Sequence, residues 1–102
     1  MKKTFYVIIA LIINVSGYCQ TAFDFIVNAN EKIKLQDYSG AIVYCNIAIE
    51  IDSKYAIAYY VRGLAKVALK DHRGAIVDCS KAIELILNIW RLITSEDFQR
   101  VH

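Results

Sequence analysis

The chain of 102 residues has no proline, four glycines and two histidines. Without proline it lacks the residue that most firmly breaks a helix. No stretch alternates polar and apolar residues with period two for long, which argues against a half-buried sheet. There is no glycine-rich phosphate loop and no Ser-His-Asp set. His72 is the only histidine before the C-terminus, seven residues from Cys79. Seven residues of helix rise roughly 10 Å, too far for a Cys–His nucleophilic pair. Metal binding needs three or four ligands, and His72, Asp78 and Cys79 do not assemble them. No enzyme activity, cofactor or metal is therefore expected.

Excess charge and long apolar runs are also scarce. Beyond residue 19 the chain carries ten Lys and Arg against ten Asp and Glu, because Lys2 and Lys3 supply the whole formal charge of +2. No basic stripe remains to attract nucleic acid. The apolar run from Phe5 to Val15 covers 11 residues, well short of the roughly 20 that span a bilayer. With Met1-Lys2-Lys3 before it and Ser16-Gly17-Tyr18-Cys19 after it, residues 1–19 read as a secretory signal peptide. Gly17 and Cys19 hold the −3 and −1 places for cleavage before Gln20. Two alternatives stay open. One is an uncleaved N-terminal anchor. The other is a lipidated Cys19, which bulky Tyr18 and Ser16 at −3 fit poorly. The expected location is outside the cytoplasm, in the periplasm, the cell envelope or secreted. A membrane enters only if the N-terminus is retained or Cys19 is lipidated.

What the chain does have is a repeat. Residues 32–50 and 66–84, 34 positions apart, share eleven identities in nineteen positions with no gap. The shared residues run Lys32/Lys66, Leu35/Leu69, Asp37/Asp71, then Gly-Ala-Ile-Val-x-Cys-x-x-Ala-Ile-Glu from Gly40 and Gly74. A fixed period of this length marks a stacked repeat architecture.

Helical spacing of Phe25, Ala29 and Ile33 predicts a first helix over about 22–35. Asp37 is placed to cap a second helix that ends near Ile51. Asp52-Ser53-Lys54 forms the next turn, with Ser53 or Asp52 as cap of a third helix over about 55–69. Asp71 repeats the role of Asp37 for a fourth, starting near His72. The repeat fails after Leu85, where Ile86-Leu87 replaces the Asp52-Ser53 turn. The fourth helix either runs on to about Ile93 or breaks at Asn88. Thr94 and Asp97 have capping-box spacing for a last short helix. The segment 88–102 is expected to cover the open end of the stack, as terminal repeats must. A truncated end of a longer repeat protein is the alternative.

Cys45 and Cys79 hold the same repeat position on successive second helices. Helices pack about 8–10 Å apart, whereas a disulfide needs Cα atoms within about 7 Å. Two buried thiols acting as small hydrophobes are expected. Most charges read as solvated helix faces.

The 34-residue helix-turn-helix unit with a small residue early in its second helix resembles the tetratricopeptide repeat. The resemblance covers about residues 23–87. Phe25 and Tyr59 meet the family's early aromatic, Gly63 half of its leucine-glycine pair, Ala41 and Ala75 its small residue, and Ala48 and Ala82 the next one. Lys32 and Lys66 replace its tyrosine, Cys45 and Cys79 its later aromatic, and Ser53 and Leu87 its closing proline. The resemblance implies an all-α fold, a short α-solenoid of two helical hairpins (about 22–53 and 56–87) plus a C-terminal capping helix. In such a fold Ala41 and Ala75 let each helix pair approach closely, Phe25, Tyr59, Ile42 and Ile76 fill the contact, and Tyr38 and His72 cover the turn.

The family's ligands lie along the concave face of the first helices. Carried over, that face offers Phe23, Ile26, Val27, Asn30 and Lys34, then Ile57, Tyr60, Val61, Leu64 and Ala68. Binders of acidic peptide C-termini use a basic, asparagine-rich clamp there. Only Asn30 suits one, while Ile26 and Val61 stand at other clamp positions, so that ligand class is excluded. Tyr60 and Leu64 are expected to anchor an apolar peptide or amphipathic helix. The expected function is protein–protein interaction as a scaffold or adaptor. The alternatives are a self-associating structural piece, including a homodimer, or a truncated fragment of a longer repeat protein. A separate alternative is that the C-terminal tail, a retained signal helix or a second copy covers the groove.

Overall fold

A computed structural model describes residues 20–101, with burial through Ser95. The signal-peptide reading and Cys19 lie outside the described residues. Four helices follow one another: α1 (Ala22–Lys34), α2 (Tyr38–Ile51), α3 (Ala56–Ala68) and α4 (His72–Val101). No strand occurs among the described residues.

The helix ends follow from local chemistry. Thr21 and Asp24 form a capping box: the Asp24 N–H donates to Thr21 Oγ1 at 3.4 Å and the Thr21 N–H to Asp24 Oδ2 at 3.0 Å, which satisfies two amides of the first turn. The turns after α1 and α3 are built bond for bond alike. The Gln36 N–H donates to the Ile33 carbonyl and the Asp37 N–H to that of Lys32; Lys70 and Asp71 do the same to Val67 and Lys66. This is a Schellman closure with a non-glycine residue in the left-handed position, φ 60° at Gln36 and 67° at Lys70. Asp37 and Asp71 then cap the following helices, accepting from the Gly40 and Gly74 N–H at 3.0 Å. A Cβ on either glycine would press on that capping carboxylate and make it shift, so glycine leaves the cap undisturbed.

The α2–α3 turn departs from expectation. Neither Ser53 nor Asp52 caps α3; Tyr55 stands there with no side-chain bond. Asp52 instead ends α2, and its Oδ1 accepts the Lys54 N–H at 3.0 Å. The Ser53 carbonyl accepts the Tyr59 hydroxyl at 2.9 Å, which fixes the turn against α3.

Consecutive helices pack on each other, and α1 also packs on α3. We call α1–α2 unit 1 and α3–α4 unit 2. One core cluster joins Ala22, Ile26 and Ala29 of α1, Ala41, Cys45 and Ala48 of α2, and Ala58, Val61 and Ala65 of α3. The alanines bring backbones close, while Phe25, Ile42, Tyr44 and Ile49 fill the margins. Burying Ile26 or Val61 contributes about 1.5–3 kcal/mol each.

Three expectations need correction. His72 is exposed, whereas Tyr38 packs on the core. Ile76 is 65% exposed, although its counterpart Ile42 is packed. The C-terminal segment is not a separate helix laid over the stack. It continues α4, and Ile89, Trp90, Leu92 and Ile93 stand half exposed or more. Nothing at 86–88 breaks a helix, and Thr94 acts as an interior residue: its hydroxyl donates to the Trp90 carbonyl four residues back, at 2.6 Å.

Candidate functional site

The two units hold their helix pairs together by different chemistry. In unit 1 the rings of Phe25 and Tyr44 face each other with centroids 6.3 Å apart. In unit 2 the position of Tyr44 is taken by Asp78, which is 2% exposed. Arg62 grips its carboxylate with two bonds, Nε to Oδ2 at 2.9 Å and Nη2 to Oδ1 at 2.7 Å. Lys66 adds a contact at 2.9 Å. The third guanidinium nitrogen reaches back to Asn46 Oδ1 of α2 at 2.9 Å, and the Arg62 group also lies 5.5 Å from the Tyr59 ring centroid. The network ties α2, α3 and α4 together.

Burial pushes the Asp78 carboxyl up, but the hydrogen bonds and positive charges of Arg62 and Lys66 outweigh it, and the group sits below the usual carboxylate range. The same bond to Asp78 raises Arg62. Asp78 is thus a buried, fully paired charge rather than a solvated one. Its two cations occupy it, leaving it unsuited to proton transfer.

Cys45 and Cys79 are free thiols. Burial pushes Cys45 up to about 11, with the Arg62 charge opposing and that of Asp78 adding. Cys79 is only half-buried. Its sulfur lies against Gly63, where an added Cβ would come within 2.9 Å, so α3 and α4 approach closely.

Cys79 also lines an apolar hollow. It is a groove of about 280 Å³ between α3, which supplies Ala56, Ile57 and Tyr60, and α4, which supplies Cys79, Ala82, Ile83 and Ile86. Its lining is almost wholly apolar. A smaller hollow of about 150 Å³ flanks α4 on its other side, beside Lys54 and Leu85.

Subtracting 34 from five groove residues, Ala56, Tyr60, Cys79, Ala82 and Ile83, gives Ala22, Ile26, Cys45, Ala48 and Ile49. Those five lie in or against the core that Ala58, Val61 and Ala65 of α3 complete. The groove is therefore the face of unit 2 that corresponds to the covered face of unit 1. Ile26 is 3% exposed and its counterpart Tyr60 is 52% exposed.

Of the residues expected to line a groove, Ile57 and Tyr60 do so. Leu64 extends their stripe by one turn and is exposed, as are Phe23, Val27, Asn30, Lys34 and Ala68. Ile26 and Val61 do not line a groove: both are buried between α1, α2 and α3, Val61 at 4% exposure. The α4 side of the groove was missed. The signal for it was present in the 34-residue period, which maps Cys79, Ala82 and Ile83 onto an inter-unit core.

Among the described residues no three or more His, Cys, Asp or Glu side chains gather as a metal site. No described helix is long and apolar enough to cross a membrane. Comparison with protein-family models, curated proteins and solved structures gives no significant match.

Proposed function

We propose that the chain is a protein–protein interaction module of tetratricopeptide type, working as a scaffold or adaptor that receives an amphipathic helix in the groove of unit 2. The observation that carries this is the equivalence of the two faces. A residue set that is covered by a helix in unit 1 recurs in unit 2 with no described segment over it. The matching turns and the 34-residue spacing support the repeat reading. The small residues Ala56 and Ala82 leave room for an incoming backbone, and Tyr60, Ile83 and Ile86 offer apolar contact. Such helix-in-groove recognition uses anchors at i, i+3, i+4 and i+7. The Met1-Lys2-Lys3 start and the short apolar run support placing the module outside the cytoplasm.

The helix that covers the equivalent face of unit 1 is α3, so a labelled peptide of sequence 55–69 is the direct probe. It is expected to bind the chain saturably, in the micromolar range. Ile83→Asp places a charge on an exposed groove wall and should weaken binding at least tenfold. Val43→Asp, on an exposed face away from the groove, should leave it unchanged. Absence of saturable binding, or equal loss in both variants, would sink the reading.

A further inference from the structure

We infer that the helix received by the groove is the C-terminal half of α4 from a second copy of this chain, the two copies being related by a two-fold axis near Ile86. This deepens the proposed function and rests on the groove being a helix-receiving site.

The inference starts from the course of α4. Its apolar stripe runs Cys79, Ala82/Ile83, Ile86, Ile89/Trp90, Ile93, the spacing of a heptad seam. The first half of the stripe floors the groove, where α3 forms a wall. The second half carries the same pattern past the last groove-lining residue, Ile86, and Trp90 is 62% exposed. A helix of about a dozen residues is marginal in water unless its apolar face is packed, so this extension calls for a cover. Ile86 stands at the middle of the 30 residues of α4. Folding the stripe about that point lays tail residues 86–93 onto floor residues 79–86, equal in length.

The pairing also complements in size. Small Cys79 meets Ile93, small Ala82 meets Trp90, and Ile83 meets Ile89. Between residues 79 and 93 the charged side chains are Lys81, Glu84 and Arg91, and all three fall off the stripe. Lys81 and Glu84 face solvent as a loose pair at 3.8 Å. No like charges meet in the seam. The large side chains of the groove and stripe, among them Tyr60, Ile83, Ile86 and Trp90, are half exposed or more, while Ala82 is 4% exposed at the groove floor. Their area is of the order of the about 800 Å² per partner that a stable interface needs.

Stacking head to tail is the competing arrangement, and α1 opposes it. The positions by which α3 covers unit 1, Ala58, Val61 and Ala65, are Asp24, Val27 and Glu31 in α1. Presenting α1 to the groove would bury two carboxylates without partners, which is costly. A closed two-fold pair avoids this and terminates.

The test is sedimentation equilibrium of the full chain, combined with oxidative cross-linking in a Cys19→Ser, Cys79→Ser background. A concentration-dependent dimer is expected. Ile86→Cys should give a covalent dimer on mild oxidation, at least tenfold faster than Leu87→Cys, which lies beside the seam. Ile86→Asp should raise the dimer dissociation constant at least a hundredfold while the helical circular dichroism is retained. A chain that stays monomeric yet binds the 55–69 peptide overturns this inference and leaves the proposed function standing. A dimer that neither cross-links through Ile86→Cys nor responds to Ile86→Asp overturns it in favour of another interface. With Cys79 retained, a monomer in which that thiol becomes open to alkylation only after removal of residues 1–19 overturns it in favour of that segment as occupant. If neither peptide nor second copy binds, the groove reading falls with it.

Discussion

Units 1 and 2 share the same turn and a 34-residue spacing, and they differ in the length of their second helix, in what covers them and in what holds them together. Unit 1 closes with a ring pair, Phe25 with Tyr44, and its far face is sealed by α3. Unit 2 closes with a carboxylate held by two cations, and its far face is open among the described residues. One backbone plan therefore carries two energy sources. The aromatic pair adds a little to a core that packing already secures. The ion network adds to the close packing of α3 on α4 at Gly63 and Cys79 and ties both to Asn46 of α2.

The largest way to break this comparison is Asp78→Asn. It leaves Arg62 and Lys66, both largely shielded, facing a neutral amide, and should destabilise the chain by about 3 kcal/mol, the scale of a half-removed buried pair. Tyr44→Leu at the matching site removes only the ring–ring part, about 1 kcal/mol. Urea titrations of both variants measure the contrast. The pH dependence has a definite sign. Asp78 is held below its unfolded value, about 3.9 for a free Asp. Its contribution is full above that value and fades as pH falls through the lower folded one. Wild type should lose its stability advantage over Asp78→Asn only below about pH 4. An advantage unchanged at pH 2 would mean the ion network is not what joins unit 2.

A smaller effect sharpens the covered-versus-open contrast. Ile49 packs on the core and its counterpart Ile83 is 58% exposed. Ile49→Ala should cost about 2 kcal/mol. Ile83→Ala should stay within about 0.5 kcal/mol at protein concentrations where the chain is monomeric. With the groove filled, by a second copy or by the 55–69 peptide, Ile83→Ala should weaken that association. Equal costs for Ile49→Ala and Ile83→Ala in the monomer would show the two faces to be equally covered.

The limits of α1 and α2 and the start of α4 were legible in the sequence because they rest on local signals. Asp37 and Asp71 announce caps, and the spacing of Phe25, Ala29 and Ile33 announces α1. The buried charge was not legible. Asp78 looks like one more solvated carboxylate until Arg62 and Lys66, sixteen and twelve residues earlier, are brought against it. Nor could the pattern say which face of each unit matters. Ile26 and Tyr60 share a repeat position, and only the stacking order makes one core and the other surface. Burial at a repeated position depends on which helix packs against it, and the period alone does not give that. The end of α4 was ambiguous for a related reason: residues 86–93 contain no helix breaker, and whether they fold back depends on what is available to cover them.

The smallest prediction concerns the part of the two units that does match. Gln36 and Lys70 both sit in the left-handed region that a β-carbon disfavours by roughly 1–2 kcal/mol. Gln36→Gly should therefore stabilise the chain by about 1 kcal/mol, after allowing for the extra freedom glycine gives the unfolded chain. Lys70→Gly relieves the same strain but removes a cation beside the C-terminus of α3, where it interacts favourably with the helix dipole by about 0.3–1 kcal/mol. Its net gain should be roughly half as large, about 0.5 kcal/mol. Raising the salt concentration screens the dipole interaction, so the two gains should converge. Thermal melts of the two variants at low and high salt test this. Gains that differ by the same amount at both would place the difference in the turns themselves, and the bond-for-bond likeness of the two units would then hide an unequal strain.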